Sequence, residues 1–375
     1  MQNKNMNRVW LDINLKTLRD NFHKIYDTVH PCSVIAVLKA NAYGLGVMKI
    51  AETLADAGAA GFGVAELNEA LALKKLGKPV QILGGILPEE TPDAVNAGII
   101  LPVTSLEIAK IISAEAVKQN KTVECHFLID TGMGRLGILE RDAVDTITQT
   151  AALPGLNCSG IYTHFPIAYR TGSQITEKQV ESFLKLLNAL KSKGIVFSKV
   201  HIANSDAINN FPLTFCQPFN YVRTGINLYG SFDNEGKRIL KLKSILSLKT
   251  RLVGARTLPA GMSIGYGCTC TLSKDTKVGT VSAGYADGLP MGLSNRGYVI
   301  IDGCLCPVLG RVSMDYTTVS LENVPDAKCG DEVICLGGEG PNAISVEHWA
   351  QLKGTHAYDV ICSFGTRVAR RYVED

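Results

Sequence analysis

No uninterrupted apolar run in the 375 residues approaches the ~20 needed to cross a bilayer. The start, residues 1–7, is polar and lacks the apolar stretch of a signal peptide. The expectation is a soluble, cytoplasmic protein with no membrane partner. Charge of one sign is scarce too: the net charge is only +3, so there is no basic stripe for a nucleic acid to bind. The eleven cysteines contain no Cys-x-x-Cys and are odd in number and scattered. A zinc site would want a tighter constellation with histidines nearby, so no metal is expected. The cysteines read as reduced, small apolar fillers. Cys268/Cys270 and Cys304/Cys306 sit two apart, which on a strand puts each pair on one face. There is no internal repeat, low-complexity segment or long linker. What is present is apolar material, 46% of residues, which suffices for sizeable cores. The length suggests two domains.

The first seven of these apolar segments lie near 9–15, 33–39, 60–65, 80–84, 99–103, 123–130 and 158–164, followed by 199–204 and 221–229. The first alternates like a strand, and Asn14 or Thr17 is placed to cap a helix near 18–27. The other eight are strand-like and alternate with helical patterns at 47–57, 67–76, 105–118, 140–152 and 175–193. Eight such units over about 230 residues argue a closed (β/α)₈ TIM-type barrel more than an open sheet. Past Gly230 the texture changes. Short strands at 277–282, 297–301, 306–309, 317–321 and 332–336 are broken by Gly and Asp, with one helical stretch at 346–352. The expected division is a barrel over 1–236 and a mostly-β C-terminal domain over 237–375. The strand at about 8–15 is free to join the second.

Chemistry in such a barrel sits where strands meet the following loops. The strand ends offer Lys39 with Tyr43 beyond it, Asp130 leading to Arg135, His164, Asn204-Ser205, and Arg223 leading to Gly225-Ile226. Each has an ordinary reading. Lys39 can snorkel out of the barrel mouth, His164 can be a core histidine, and Arg223 can be an ion-pair partner. Their joint placement points elsewhere. Ser205 offers a hydroxyl, and Gly225 and Ile226 offer backbone N–H groups, where such barrels often seat a phosphate. A phosphate seat facing a lysine able to form a Schiff base is what pyridoxal 5'-phosphate requires.

The stretch Ala36-Val37-Leu38-Lys39-Ala40-Asn41-Ala42-Tyr43-Gly44 closely resembles the cofactor-lysine signature of alanine racemases. The likeness runs the whole chain. It includes 130–136, Tyr162-Thr163-His164-Phe165, Ala203-Asn204-Ser205, 223–230, Gly265-Tyr266-Gly267, 284–288, 310–315 and Tyr358. The resemblance implies a homodimer with sites built from both subunits, acting on a small amino acid and supplying D-alanine for peptidoglycan. It implies that Lys39 holds the cofactor and is the base on one face, and that Tyr266 from the partner serves the other. Arg223 would bond the pyridine nitrogen. Tyr43, Ser205, Gly225, Ile226 and Tyr358 would hold the phosphate, with Asn204 beside them. His164 and Arg135 would flank the ring, and Met314 and Tyr285 would meet the substrate. Two bases suit racemisation, because a single base would have to cross the substrate's plane. An arginine, effectively never deprotonated, keeps the pyridine nitrogen unprotonated and weakens the electron sink.

The sequence departs from the family pattern at four places. Leu128 stands where many relatives carry a carbamylated lysine that orients Arg135, and Leu45 stands for the helix-start histidine. At the site entrance, Tyr169 replaces an aspartate and Met291 an arginine, while Arg311 matches the other entrance arginine. A serine or broad-specificity racemase of the same fold is therefore the nearest alternative. A decarboxylase that uses the same cofactor is more distant, because Arg223 and Tyr266 argue against it.

Overall fold

The computed structural model describes residues 7–233 and 235–374. They form two units. One comprises 19–228 and 235–242; the other comprises 7–18, 229–233 and 243–374.

In the first unit, strands β2 (Ser33–Val37), β3 (Gly61–Val64), β4 (Val80–Ile82), β5 (Leu101–Val103), β6 (Val123–Asp130), β8 (Leu156–Tyr162), β9 (Lys199–His201) and β10 (Tyr221–Thr224) run parallel. A parallel bridge from Gln81 to Ile100 joins β4 to the start of β5. Bonds from Asn220 N to Val200 O and from Arg223 N to Ala203 O close β9 on β10. All eight expected strands are present, and a short β7 (Ile138–Leu139) adds to β6. Val34, Ala36, Phe62, Val80, Ile82, Leu101 and Phe127 are buried, as strands covered by helices on one face and by barrel core on the other require.

Several ends differ from expectation. The sixth barrel strand stops at Tyr162, two residues before His164. The eighth stops at Thr224, where Gly225 turns the chain into a 3₁₀ segment, Ile226–Tyr229. A helix at Thr91–Ala97 was not expected; it has only two turns and Pro92 near its start. Asn14, not Thr17, caps the first helix, its Oδ1 accepting from Thr17 N at 2.7 Å.

In the second unit, the long β11 (Leu246–Leu258) is the hub. It pairs antiparallel with β1 (Trp10–Asn14), Thr276–Val281 and Glu332–Leu336. β1 also lies parallel to Ala369–Val373, so the first strand of the chain is part of the β unit. A bulge between Leu252 and Gly254 lets β11 serve partners on both of its stretches. Cys304 and Cys306 do share one strand. Cys268 instead sits in a 3₁₀ turn, so only Cys270 of that pair is on a strand. A helix at Ala357–Cys362 follows the expected one at Val346–Lys353. No helix among the described residues is long and apolar enough to cross a membrane.

Candidate active site

Lys39 follows β2 by two residues and begins an unusual turn. Ala40, Asn41, Ala42 and Tyr43 all have φ between 54° and 58°, a run of left-handed helical backbone. Such backbone costs roughly 1–2 kcal/mol per non-glycine residue, so small side chains and an asparagine suit it. Surrounding bonds hold the run in place. Ala42 N donates to Leu38 O at 2.8 Å, Gly44 N to Ala40 O at 2.7 Å and Gly46 N to Asn41 O at 3.0 Å. Val47 N donates to Asn41 Oδ1 at 2.8 Å. The Glu69 carboxylate accepts from Ala40 N with one oxygen and from Ala65 N with the other, tying the ends of β2 and β3 together. The turn leaves Lys39 exposed at the mouth and buries Tyr43. Lys39 is thus not the buried strand-end lysine that the apolar run before it suggested, because the chain leaves the strand at Val37.

Tyr43 reaches the loop after β10. A Cβ added at Gly225 would overlap the Tyr43 hydroxyl and lie 3.0 Å from its Cζ. Gly225 N donates to Ser205 Oγ at 3.2 Å, and Ser205 Oγ lies 3.2 Å from Thr224 Oγ1. Tyr43, Ser205, Gly225 and, one residue on, Ile226 thus form one corner. Asn204 builds it rather than lining it. Its Oδ1 caps the short helix Ser205–Asn210 through Ala207 N at 2.9 Å, and its Nδ2 faces Phe165 O.

Arg223, 4% exposed, points into the barrel. Nη1 donates to His201 Nδ1 at 2.6 Å and His201 O at 2.9 Å. Nη2 donates to Thr163 O at 2.6 Å and Ile202 O at 3.3 Å. Burial pulls its pKa down to about 10, which still leaves it charged near neutrality. Nε has no acceptor among the described residues. The half-buried His164 has its pKa pushed down to about 3, first by burial and then by the positive charges of Arg223, Arg135 and Lys39. These cations therefore converge around a neutral imidazole. Asp130 is not part of this set. Its carboxylate accepts from Gly132 N, Met133 N and Gly134 N, folding the loop that carries Arg135. Leu128 is buried and packs against Gly137, while Arg135 is exposed. No buried guanidinium is stranded by the missing lysine.

The remaining candidates lie in the β unit. Tyr266 is 74% exposed, and Met314 and Tyr285 are exposed as well. Tyr358 is on the helix Ala357–Cys362, its ring edge-on to His356 at 5.7 Å. The Tyr285 and Met314 loops are knitted together. Tyr285 N donates to Ser313 O at 3.0 Å and Ala286 N to Met314 O at 3.1 Å. Arg367 grips both loops, donating to the two carboxylate oxygens of buried Asp287 at 2.7 and 2.9 Å and to Asp315 Oδ1 at 2.7 Å.

A family model described as the alanine racemase N-terminal domain matches residues 13–233, and one for its C-terminal domain matches 245–372. The chain belongs to the alanine racemase family. A Desulforamulus reducens protein named alanine racemase is 38% identical over 97% of this chain and 99% of its own. A Methanococcus maripaludis protein of the same name is 36% identical over 97% and 98%. The solved alanine racemase of Clostridium difficile 630 is similar with a TM-score of 0.92 and 31% identity, covering 99% of this chain and 97% of that one. The Bartonella henselae alanine racemase, solved with covalently bound pyridoxal phosphate, gives 0.85 and 29% over 98% and 99%. Alanine racemases depend on pyridoxal phosphate, and this chain is an amino-acid racemase of that family. Reading the sequence did not single out Glu69, Arg367, His201 or His126. For the first two no local motif exists. The two histidines stand in apolar strands, where a core role is the ordinary interpretation.

Proposed function

We propose that the chain interconverts L- and D-alanine, supplying D-alanine for peptidoglycan, with pyridoxal 5'-phosphate seated at the barrel mouth. The observation that supports this most is the donor set. At the Gly225 corner the space a Cβ would fill is bounded by the hydroxyl of Tyr43, with Ser205 alongside, and this suits a phosphate. Arg223 is charged and has Nε–H left to donate, which suits an unprotonated ring nitrogen. Bound there, the cofactor would supply a sink for the electron pair left on the substrate's α-carbon.

Lys39 takes the α-proton from one face, and Tyr266 of a second subunit returns one to the other. In the reverse direction the two exchange roles; each turnover leaves one of them a proton richer and the other a proton poorer, and exchange with solvent water resets both before the next. Arg223 holds its proton throughout, which weakens the sink and disfavours side reactions. His164, neutral, adds no further positive charge beside Lys39. By the family resemblance Arg135 would flank the cofactor beside His164, the backbone N–H of Met314 from the second subunit would meet the substrate carboxylate, and Tyr285 would also meet the substrate. The resemblance also gives Tyr358 to the phosphate. The exposure of Tyr266, Met314 and Tyr285 on a single chain supports a homodimer in which each β unit covers the other subunit's barrel. The eleven unpaired cysteines suit the cytoplasm.

Chiral product analysis with a panel of L-amino acids, with visible absorbance followed alongside, tests the substrate. Turnover of L-alanine well above L-serine is expected. Equal rates across the panel would replace the alanine assignment with broad specificity. Subunit exchange between Lys39→Ala and Tyr266→Phe tests the shared site. About half of a mixed dimer's sites should revive, by the symmetry of a two-fold pair. No revival despite proven exchange would mean that each site is built within one chain.

A further inference from the structure

A line of polar groups crosses the barrel interior behind Arg223. His201, on β9, is fully buried and stacks on Tyr162 with ring centroids 4.9 Å apart. Its Nε2 lies 3.4 Å from Nδ1 of buried His126 on β6. His126 Nε2 lies 3.2 Å from Glu124 Oε1. Glu124 Oε1 also accepts from Ser159 Oγ at 2.6 Å and from Lys199 Nζ. Glu124 and Lys199 stand at the N-terminal ends of their strands, opposite the mouth. The interior makes room for this line. A Cβ at Gly160 would overlap the His126 ring, and the β6–β8 register shifts between Cys125 and His126.

Donor chemistry fixes every link. A guanidinium nitrogen can only donate, so His201 Nδ1 accepts and its proton is on Nε2. That N–H points at His126 Nδ1, which must then accept, so the His126 proton is on Nε2 and is given to Glu124. Neither ring can carry a second proton without breaking a link. Burial acts in the same direction, disfavouring the charged form of both histidines, while hydrogen bonds from His126 and Lys199 hold Glu124 ionised. All the bonds therefore run one way, from Arg223 to a carboxylate at the far end of the barrel.

We infer that Glu124 is a positioning residue for racemisation: acting through His126 and His201, it fixes the lone pair that holds the Arg223 guanidinium in rotation. This rests on the reading of Arg223 as the donor to the cofactor's ring nitrogen. A TIM barrel's lower face ordinarily serves stability alone. Here an anion at that face is wired to the residue that sets the sink. Conserving such outer partners typically matters 10–100-fold in comparable supporting shells, which sets the scale of effect to look for.

The test uses holoenzyme with ¹⁵N-histidine, and separately with ¹⁵N-labelled cofactor. In wild type, two histidines should be neutral with the proton on Nε2. Either one found protonated on Nδ1, or as imidazolium, overturns the inference. Glu124→Leu, normalised to bound cofactor, should lower kcat about 10-fold or more with KM for alanine within about 2-fold, and should shift the ring-nitrogen signal. Glu124→Gln keeps an acceptor for His126 and should retain kcat within about 3-fold of wild type. A Glu124→Leu enzyme that is less heat-stable but has wild-type kcat and ring-nitrogen signal shows a structural role only, and also overturns it. If Glu124→Leu does not fold, the wild-type tautomers decide. Failure of the Arg223 reading looks different: the wild-type ring nitrogen would itself be protonated, with the histidine tautomers as assigned.

Discussion

Gly225→Ala is the sharpest probe of the phosphate corner. The glycine's φ is ordinary, so alanine meets no backbone strain; the conflict is with one group. The new Cβ would overlap the Tyr43 hydroxyl and sit 3.0 Å from Cζ and 3.3 Å from Cε2. Tyr43 has little room to retreat, because it is buried and closes the left-handed run from Ala40. Its hydroxyl must therefore leave the corner. Losing a hydrogen bond to a charged group costs about 1.5–3 kcal/mol, or roughly 10- to 150-fold in cofactor affinity. The assay is titration of apoenzyme with pyridoxal 5'-phosphate. Tyr43→Phe removes the same hydroxyl, so it should weaken binding by a similar factor. The double variant should then be little worse than either, leaving a coupling of about 1.5–3 kcal/mol in the cycle. Wild-type affinity in Gly225→Ala would refute the claim that the hydroxyl holds the phosphate. Additive losses would show that Gly225 acts other than through Tyr43.

Three further outcomes follow from the packing. His126 and His201 are buried and neutral, with pKa values held below the ordinary 6.5. Below pH 6.5 the unfolded chain binds protons that the folded chain does not, so stability rises with pH in that window and levels off above it. Each group adds up to about 1.4 kcal/mol per pH unit, and urea midpoints at pH 5.5 and 7.5 that coincide would contradict this. Arg367→Ala removes the guanidinium from buried Asp287, leaving it the Gly284 N–H, and should cost about 1–3 kcal/mol. Denaturant unfolding measures that loss, and Arg367→Lys should recover only part of it. Ala40→Gly relieves one left-handed residue at an exposed position and should raise stability by about 0.5–1 kcal/mol. An unchanged or lower melting temperature would count against strain in that turn.

The barrel's candidate site residues were legible because each stands within a few residues of a strand end, and the eight-unit rhythm places strand ends at one mouth; Tyr266, Tyr285, Met314 and Tyr358 were reached only through the family resemblance. Lys39, His164, Ser205 and Arg223 could be gathered that way from positions up to 184 apart in the chain. The backbone between them could not. In Ala-Asn-Ala-Tyr only Asn41 favours left-handed backbone, so four such residues in a row give no local signal. What enforces the run lies elsewhere, in Glu69 and in the Gly44 and Gly46 amides. The same holds one layer deeper. Arg223 is conspicuous as a buried cation, but its acceptor, His201, is itself aimed by His126, 75 residues away. A histidine in an apolar strand is the ordinary sign of a satisfied core group, and here each is satisfied by the other. The pairing depends on register: β6 and β9 both flank β8, and Gly160 on β8 leaves the gap that lets the two rings meet. That gap is a missing side chain, and a sequence gives a missing side chain no direction. The barrel's candidate site residues can thus be listed from strand ends, whereas the groups that hold them in place are fixed only by closure of the barrel.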